Sequence, residues 1–131
     1  MEQSEMFERI RKTMEAKELN HNDIAKELQV TGKSLMTIIN KGSCMLYIFL
    51  DLIYEIGLEL VLNGKPMTCH QDVVDYIQNY TKSYYAASMV MISRKSGISP
   101  VAVKRFMEGE NVQLEKALKI INILGIEVRV V

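Results

Sequence analysis

The sequence predicts a mainly α-helical protein of two similar halves, each ending in a short β-strand. Three observations predict it. Apolar residues recur at helical spacing along most of the chain. Proline is rare, at 2 residues in 131, so few helices are interrupted. The two halves also share one pattern of apolar, capping and glycine positions at an offset of 68 residues.

The offset is clearest at the ends of the halves, FLDLIYEIGLELVL (49–62) and ALKIINILGIEVRV (117–130). It places Leu50 on Leu118, Leu52 on Ile120, Ile53 on Ile121, Gly57 on Gly125 and Leu60 on Val128. Upstream it places Ile24 on Ile92, Val30 on Ile98, Thr31 on Ser99, Leu35 on Val103 and Ile38 on Phe106. Gly42 and Gly109 miss by one residue, so the loops there differ slightly. The implied units are 1–63 and 71–131, with 64–70 as a linker.

In the first half, residues 4–17 put Met6, Phe7, Ile10 and Met14 on one helical face. Asn20 or Asn22 can cap a short helix that runs through Leu28. Gln29-Val30 is a break, and Thr31 caps a third helix reaching about Asn40. A fourth helix is expected from about Cys44 to Ile56, stopped at Gly57. Residues 58–62 then alternate like a strand, and Asn63-Gly64-Lys65-Pro66 is turn chemistry. In the second half, residues 71–86 form a helix with Val73, Val74, Ile77, Tyr80 and Tyr84 inward. A short helix from about Ser88 to Ser96 and a Gly97-Ile98 turn follow. Ser99 caps a helix whose first position is Pro100, where a missing N–H costs nothing. Asn111 caps the last helix, Gly125 stops it, and 126–131 read as a strand.

Composition sets limits. Apolar residues make up 48% of the chain, which excludes a disordered polymer. Formal net charge is zero, split as 8 Lys/Arg against 10 Asp/Glu in residues 1–66 and 8 against 6 in 67–131. That is no strongly basic footprint, so any anionic partner must be met by a local surface. The N-terminus lacks a signal-peptide core, and Asp51 and Glu55 interrupt the most apolar stretch. With two separated cysteines, the chain is expected in a reducing cytoplasm, off the membrane. Cys44, Cys69, His21 and His70 show no zinc spacing, and no phosphate loop or catalytic motif is present. The expectation is a binding protein without cofactor, metal or enzymatic activity.

The segments IAKELQVTGKSLMTII (from Ile24) and ISRKSGISPVAVKRFM (from Ile92) resemble the lambda-repressor-like, or xenobiotic-response-element, helix-turn-helix family. The second keeps the family turn as Ser93, Gly97, Ile98, Ser99, Ala102 and Val103. The first keeps Ala25, Val30, Thr31, Ser34 and Leu35, but has Gln29 where glycine is usual. The resemblance implies two tandem helix-turn-helix domains that bind double-stranded DNA, as a repressor or antitoxin-like transcriptional regulator. Recognition helices would lie near 32–40 and 100–107.

In that docking, Lys33, Ser34, Thr37, Val101, Lys104 and Arg105 face base edges, with Gly32, Met36 and Pro100 beside them. His21, Asn22 and Ser88 open the preceding helices, where the family contacts phosphate. Met36 is equally a core candidate. Arg94, Lys95, Lys104 and Arg105 make the second half the more basic reader. Met89, Val90 and Met91 are unusually apolar for an exposed helix and suggest packing on the other half.

The fourth helix of the first half is apolar nearly all round, so it needs cover on more than one side. The terminal strands need partners for their backbone groups. Each strand is expected to pair with the other copy or with a second chain, giving an intrachain pseudo-dimer or a homodimer. A pseudo-dimer would present two different readers to successive major grooves, about 34–36 Å apart, and prefer an asymmetric target. The alternative is a protein-interaction module, with a partner such as a toxin, that has lost DNA binding in one or both copies.

Overall fold

In a computed structural model, the protein is described along its whole backbone, and in all side chains except those of residues 84–87. Tyr84, expected to face inward, lies outside the described side chains. The fold is mainly helical, with one small antiparallel sheet of three strands.

Helix α1 (Gln3–Ala16) buries Met6, Phe7, Ile10 and Met14, the apolar row of the sequence. Helix α2 (His21–Glu27) starts at Asn20, whose side chain accepts the Asn22 amide at 2.8 Å. Gln29 then turns the chain with φ +58°, a conformation that side chains with a Cβ resist. Helix α3 (Gly32–Lys41) starts at Thr31, whose hydroxyl accepts the Ser34 amide at 3.0 Å. Leu35 and Ile39 hold α3 to the core, and Gly42 ends it in the left-handed region.

Helix α4 (Leu46–Glu55) begins two residues later than expected and buries Leu46, Phe49, Leu50, Leu52 and Ile53. It is covered on several sides, by α2, α5 and α8, while Tyr54 stays 69% exposed. Strand β1 (Leu60–Leu62) follows, then a two-residue turn with Asn63 at φ +49° and Gly64 at +78°. Asn-Gly is favoured here because both central residues of a hairpin turn matching the strand twist need positive φ. Strand β2 (Lys65–Met67) returns along β1. The expected linker is therefore corrected: residues 65–67 are a third strand. Pro66 is tolerated because β2 lies at the edge of the order β2-β1-β3.

Helix α5 (His70–Thr81) buries Val73, Val74 and Ile77, leaves Tyr80 exposed, and gives way to a 3-10 turn at Lys82–Tyr84. Helix α6 (Tyr85–Ser96) starts three residues before Ser88. Ala86-Ala87 are strong helix formers, so the helix begins upstream and Ser88 falls inside its first turn instead of opening it. Gly97 turns the chain at φ +74°. Helix α7 (Pro100–Met107) is capped by Ser99, which accepts the Ala102 amide at 3.2 Å. Helix α8 (Leu114–Ile123) begins at Leu114, not after Asn111. Strand β3 (Val128–Val130) pairs antiparallel with β1.

The halves meet in one contiguous core. Two contacts between them obey a common rule. Val61 pairs with Arg129 at the centre of the β1–β3 ladder, and Met45 bridges to Gln113 at the starts of α4 and α8. Each is a residue facing the one 68 positions on, as when two copies meet on a two-fold axis. The flanking bonds keep the rule. The Leu46 amide donates to the Val112 carbonyl at 2.8 Å, and the Leu114 amide to Cys44 at 2.9 Å. Asn111, assigned to α8 by sequence, instead accepts the Tyr47 amide of α4 at 3.0 Å. Each half thus satisfies amides at the start of the other's fourth helix, which would otherwise lack partners.

The outer edge of β3 is covered by α1. The Met1 amine donates to the Val128 carbonyl at 3.2 Å, and Arg9 donates to the Val130 carbonyl at 3.1 Å. These contacts remove an open edge that could otherwise pair with another chain.

Candidate nucleic-acid interface

Helix α3 shows one row to solvent. Lys33, Met36, Thr37 and Asn40 lie at i, i+3, i+4 and i+7, with Met36 half-buried and the others exposed. Lys33 makes no ion pair among the described residues, so its three donors remain available. The Thr37 hydroxyl donates to the Lys33 carbonyl at 2.9 Å, which leaves its lone pairs and methyl outward. The Ser34 hydroxyl accepts from Thr31 at 2.9 Å and keeps its own proton to donate. Ammonium, hydroxyl and amide groups in one row match the donors and acceptors of major-groove base edges. Asn40 is the member of this row that the sequence reading omitted; continuing the helical spacing from Lys33 would have found it.

The start of α2 packs tightly on the start of α3. A Cβ on Gly32 would meet Asn22 Oδ1, so a larger residue there would turn the exposed Asn22 side chain aside. The Asn22 side chain is exposed, and its backbone N–H already donates to Asn20 Oδ1. His21 is half-buried beside Gly32. These three residues and Lys33 make a polar patch at the junction of the two helices.

The equivalent positions of the second half differ. His21, Asn22, Gly32 and Lys33 become Met89, Val90, Pro100 and Val101. With Arg94 and Lys104 these line a groove of about 550 Å³ between α6 and α7. Val90 is 58% exposed and Val101 59% exposed, while Met89 and Met91 lean on the core. Helix α6 packs chiefly on α5, α7 and α8 of its own half, not on the other half as expected. The outward row of α7 reads Val101, Lys104, Arg105 and Glu108. Lys104 lies 3.8 Å from Glu108, and Arg105 lies 3.7 Å from Glu110. Exposed pairs of this kind contribute only about 0–1 kcal/mol, but they lower the local positive potential. Ser88 is corrected outright: it is 1% exposed, its hydroxyl has no partner among the described residues, and no phosphate can reach it.

The structure therefore brings His21, Asn22, Lys33, Ser34 and Thr37 to the α2–α3 surface, and Val101, Lys104 and Arg105 to the α6–α7 surface. Burial pushes the Cys44 thiol up to about 12 and lowers the His70 pKa. Among the described residues no group of three His, Cys, Asp or Glu could hold a metal ion, and no helix is long and apolar enough to cross a membrane. Comparison with protein-family models, curated proteins and solved structures finds no match.

Proposed function

We propose that the chain binds double-stranded DNA in a sequence-specific way, as a transcriptional regulator built from two lambda-repressor-like helix-turn-helix units. The observation that carries this reading is the outward row of α3. It is a capped helix held by Leu35 and Ile39, with Lys33, Thr37 and Asn40 presented together and no carboxylate among them. A short capped helix packed on the preceding one is the unit that seats in a major groove. In this reading α3 supplies the base contacts. Lys104 and Arg105 of α7 add weaker, mainly electrostatic attraction, because Val101 and Glu108 flank them. The contacts that pair residues 68 apart support a pseudo-dimer within one chain. The two units then differ in role, and the target is asymmetric.

Selection of the full chain against random duplexes at low salt tests the reading. The expected result is a short non-palindromic motif whose affinity falls steeply as salt rises. Absence of any enriched duplex, or enrichment of perfect palindromes alone, would overturn it. The emphasis on α3 reverses the sequence-based expectation that the second half reads DNA more strongly.

A further inference from the structure

The α6–α7 groove occupies the place where the first half offers polar groups. Met89 and Val90 stand where a phosphate would need donors, and they have none to give. Pro100 lacks even its amide hydrogen. A concave apolar floor is poorly matched to a DNA backbone, and leaving Val90 and Val101 more than half exposed forfeits burial that a partner could supply. The charged residues lining the groove are both cations, Arg94 and Lys104. Lys104 leans on Glu108 at 3.8 Å, an exposed pair that an incoming carboxylate can replace.

We propose that this groove is a protein-docking site for a short amphipathic segment of another protein, with apolar side chains flanked by Asp or Glu. The apolar side chains enter between α6 and α7, against Met89, Val90, Pro100 and Val101. The carboxylates meet Arg94 and Lys104 at the rim. Apolar anchors in a desolvated centre with charges at the edge are the usual division of labour in such contacts. The proposal rests on the helix-turn-helix reading only for the comparison with the first half; the groove and its charges stand without it. A second copy of this chain is a competing occupant, because α4 shows Asp51, Tyr54 and Glu55 outward. DNA is the other.

The test is selection of peptides from a random library displayed on phage against the full chain, without DNA. Enriched peptides are expected to combine aliphatic or aromatic residues at helical spacing with adjacent carboxylates. Their affinity should fall about tenfold or more in Val101→Glu and in Lys104→Glu, and stay unchanged in Lys33→Ala. Both substituted residues are exposed, and circular dichroism checks each fold. Should Val101→Glu fail to fold, Lys104→Glu decides. No enriched peptide, or binding indifferent to both variants, overturns the proposal. So does a self-associated form in sedimentation that Val101→Glu dissolves, which makes a second copy the occupant. Duplex binding that Val101→Glu weakens as much as Lys33→Ala assigns the groove to DNA and overturns it too. Failure of the duplex selection alone removes the DNA reading and leaves peptide binding standing.

Discussion

The junction of α2 with α3 and the junction of α6 with α7 sit at equivalent places, 68 residues apart, yet they differ in kind. The first is polar: His21, Asn22, Gly32 and Lys33. The second is an apolar groove: Met89, Val90, Pro100 and Val101. The residues that hold the helices in place barely differ. Leu35 answers Val103, Ile24 answers Ile92, and both third helices start on a hydroxyl cap. A core that tolerates conservative exchange fixes the frame, while the surface on that frame is free to diverge. Two units of one plan can therefore carry two chemistries, and the shared seam keeps them in fixed relation.

The largest expected effect strikes that seam. Leu114 is fully buried at the start of α8, beside the bonds linking α8 to α4. Leu114→Ala should cost about 2–5 kcal/mol in unfolding free energy. Because the core is continuous across both halves, denaturation should remain one transition. Two separate transitions, monitored by circular dichroism and by tyrosine fluorescence, would mean that the halves are independent bodies.

The next effect separates the two surfaces. Lys33→Val gives the first half the residue that the second half carries at Val101. It should weaken binding to a selected duplex by about 1–3 kcal/mol, the cost of one lost base contact. Lys104→Ala combined with Arg105→Ala should cost less and mainly flatten the salt dependence. Measured by fluorescence anisotropy, equal losses would erase the assigned difference between α3 and α7.

Much of the frame was legible in the sequence. Asn20, Thr31 and Ser99 cap as expected because a cap acts on amides two or three residues away. The repeat identified the strands, and their pairing follows from the need to satisfy open edges. What was not legible depends on distant partners. Asn111 has a capping side chain, but the backbone amide it accepts is that of Tyr47, 64 positions away. Lys65–Met67 contains proline, a loop signal, yet it becomes a strand because β1 offers a free edge. Ser88 reads as the start of its helix, but the helix begins three residues upstream at Tyr85. The site was half visible. Residue types at the contact positions were plain, but only exposure shows that Val90 and Val101 share one groove.

A smaller effect compares the two turns. Gly97 and Gln29 occupy equivalent places, with φ +74° and +58°. A side chain in this region costs roughly 1–2 kcal/mol, offset in part by the lower entropy of its unfolded chain. Gly97→Gln should therefore destabilise by about 1 kcal/mol, and Gln29→Gly should stabilise by about 0.5–1 kcal/mol. Opposite signs in urea titration are the point. A loss in both variants would show that the Gln29 side chain makes contacts worth more than the strain.

The smallest effect lies where the halves touch near α5. His70 opens that helix with its ring edge-on to Tyr47 of α4, centroids 4.0 Å apart. Its Nε2 is buried without a hydrogen-bond partner among the described residues. Burial lowers the His70 pKa below its ordinary 6.5, since a cation there would lose water and gain no acceptor. The positive end of α5 opposes the charge as well. The sign follows: the unfolded chain binds the proton more readily, so stability falls as pH drops below about 6.5 and through the lower folded value. Glu8, held down by its hydrogen bond to Arg11, and Asp72, held down by Thr68, change stability in a more acidic window, below their ordinary values of 4.5 and 3.8. His70→Gln should thus reduce the drop in urea midpoint between about pH 7.5 and pH 5.5. If the drop persists in His70→Gln, the contact between α4 and α5 does not sense this proton.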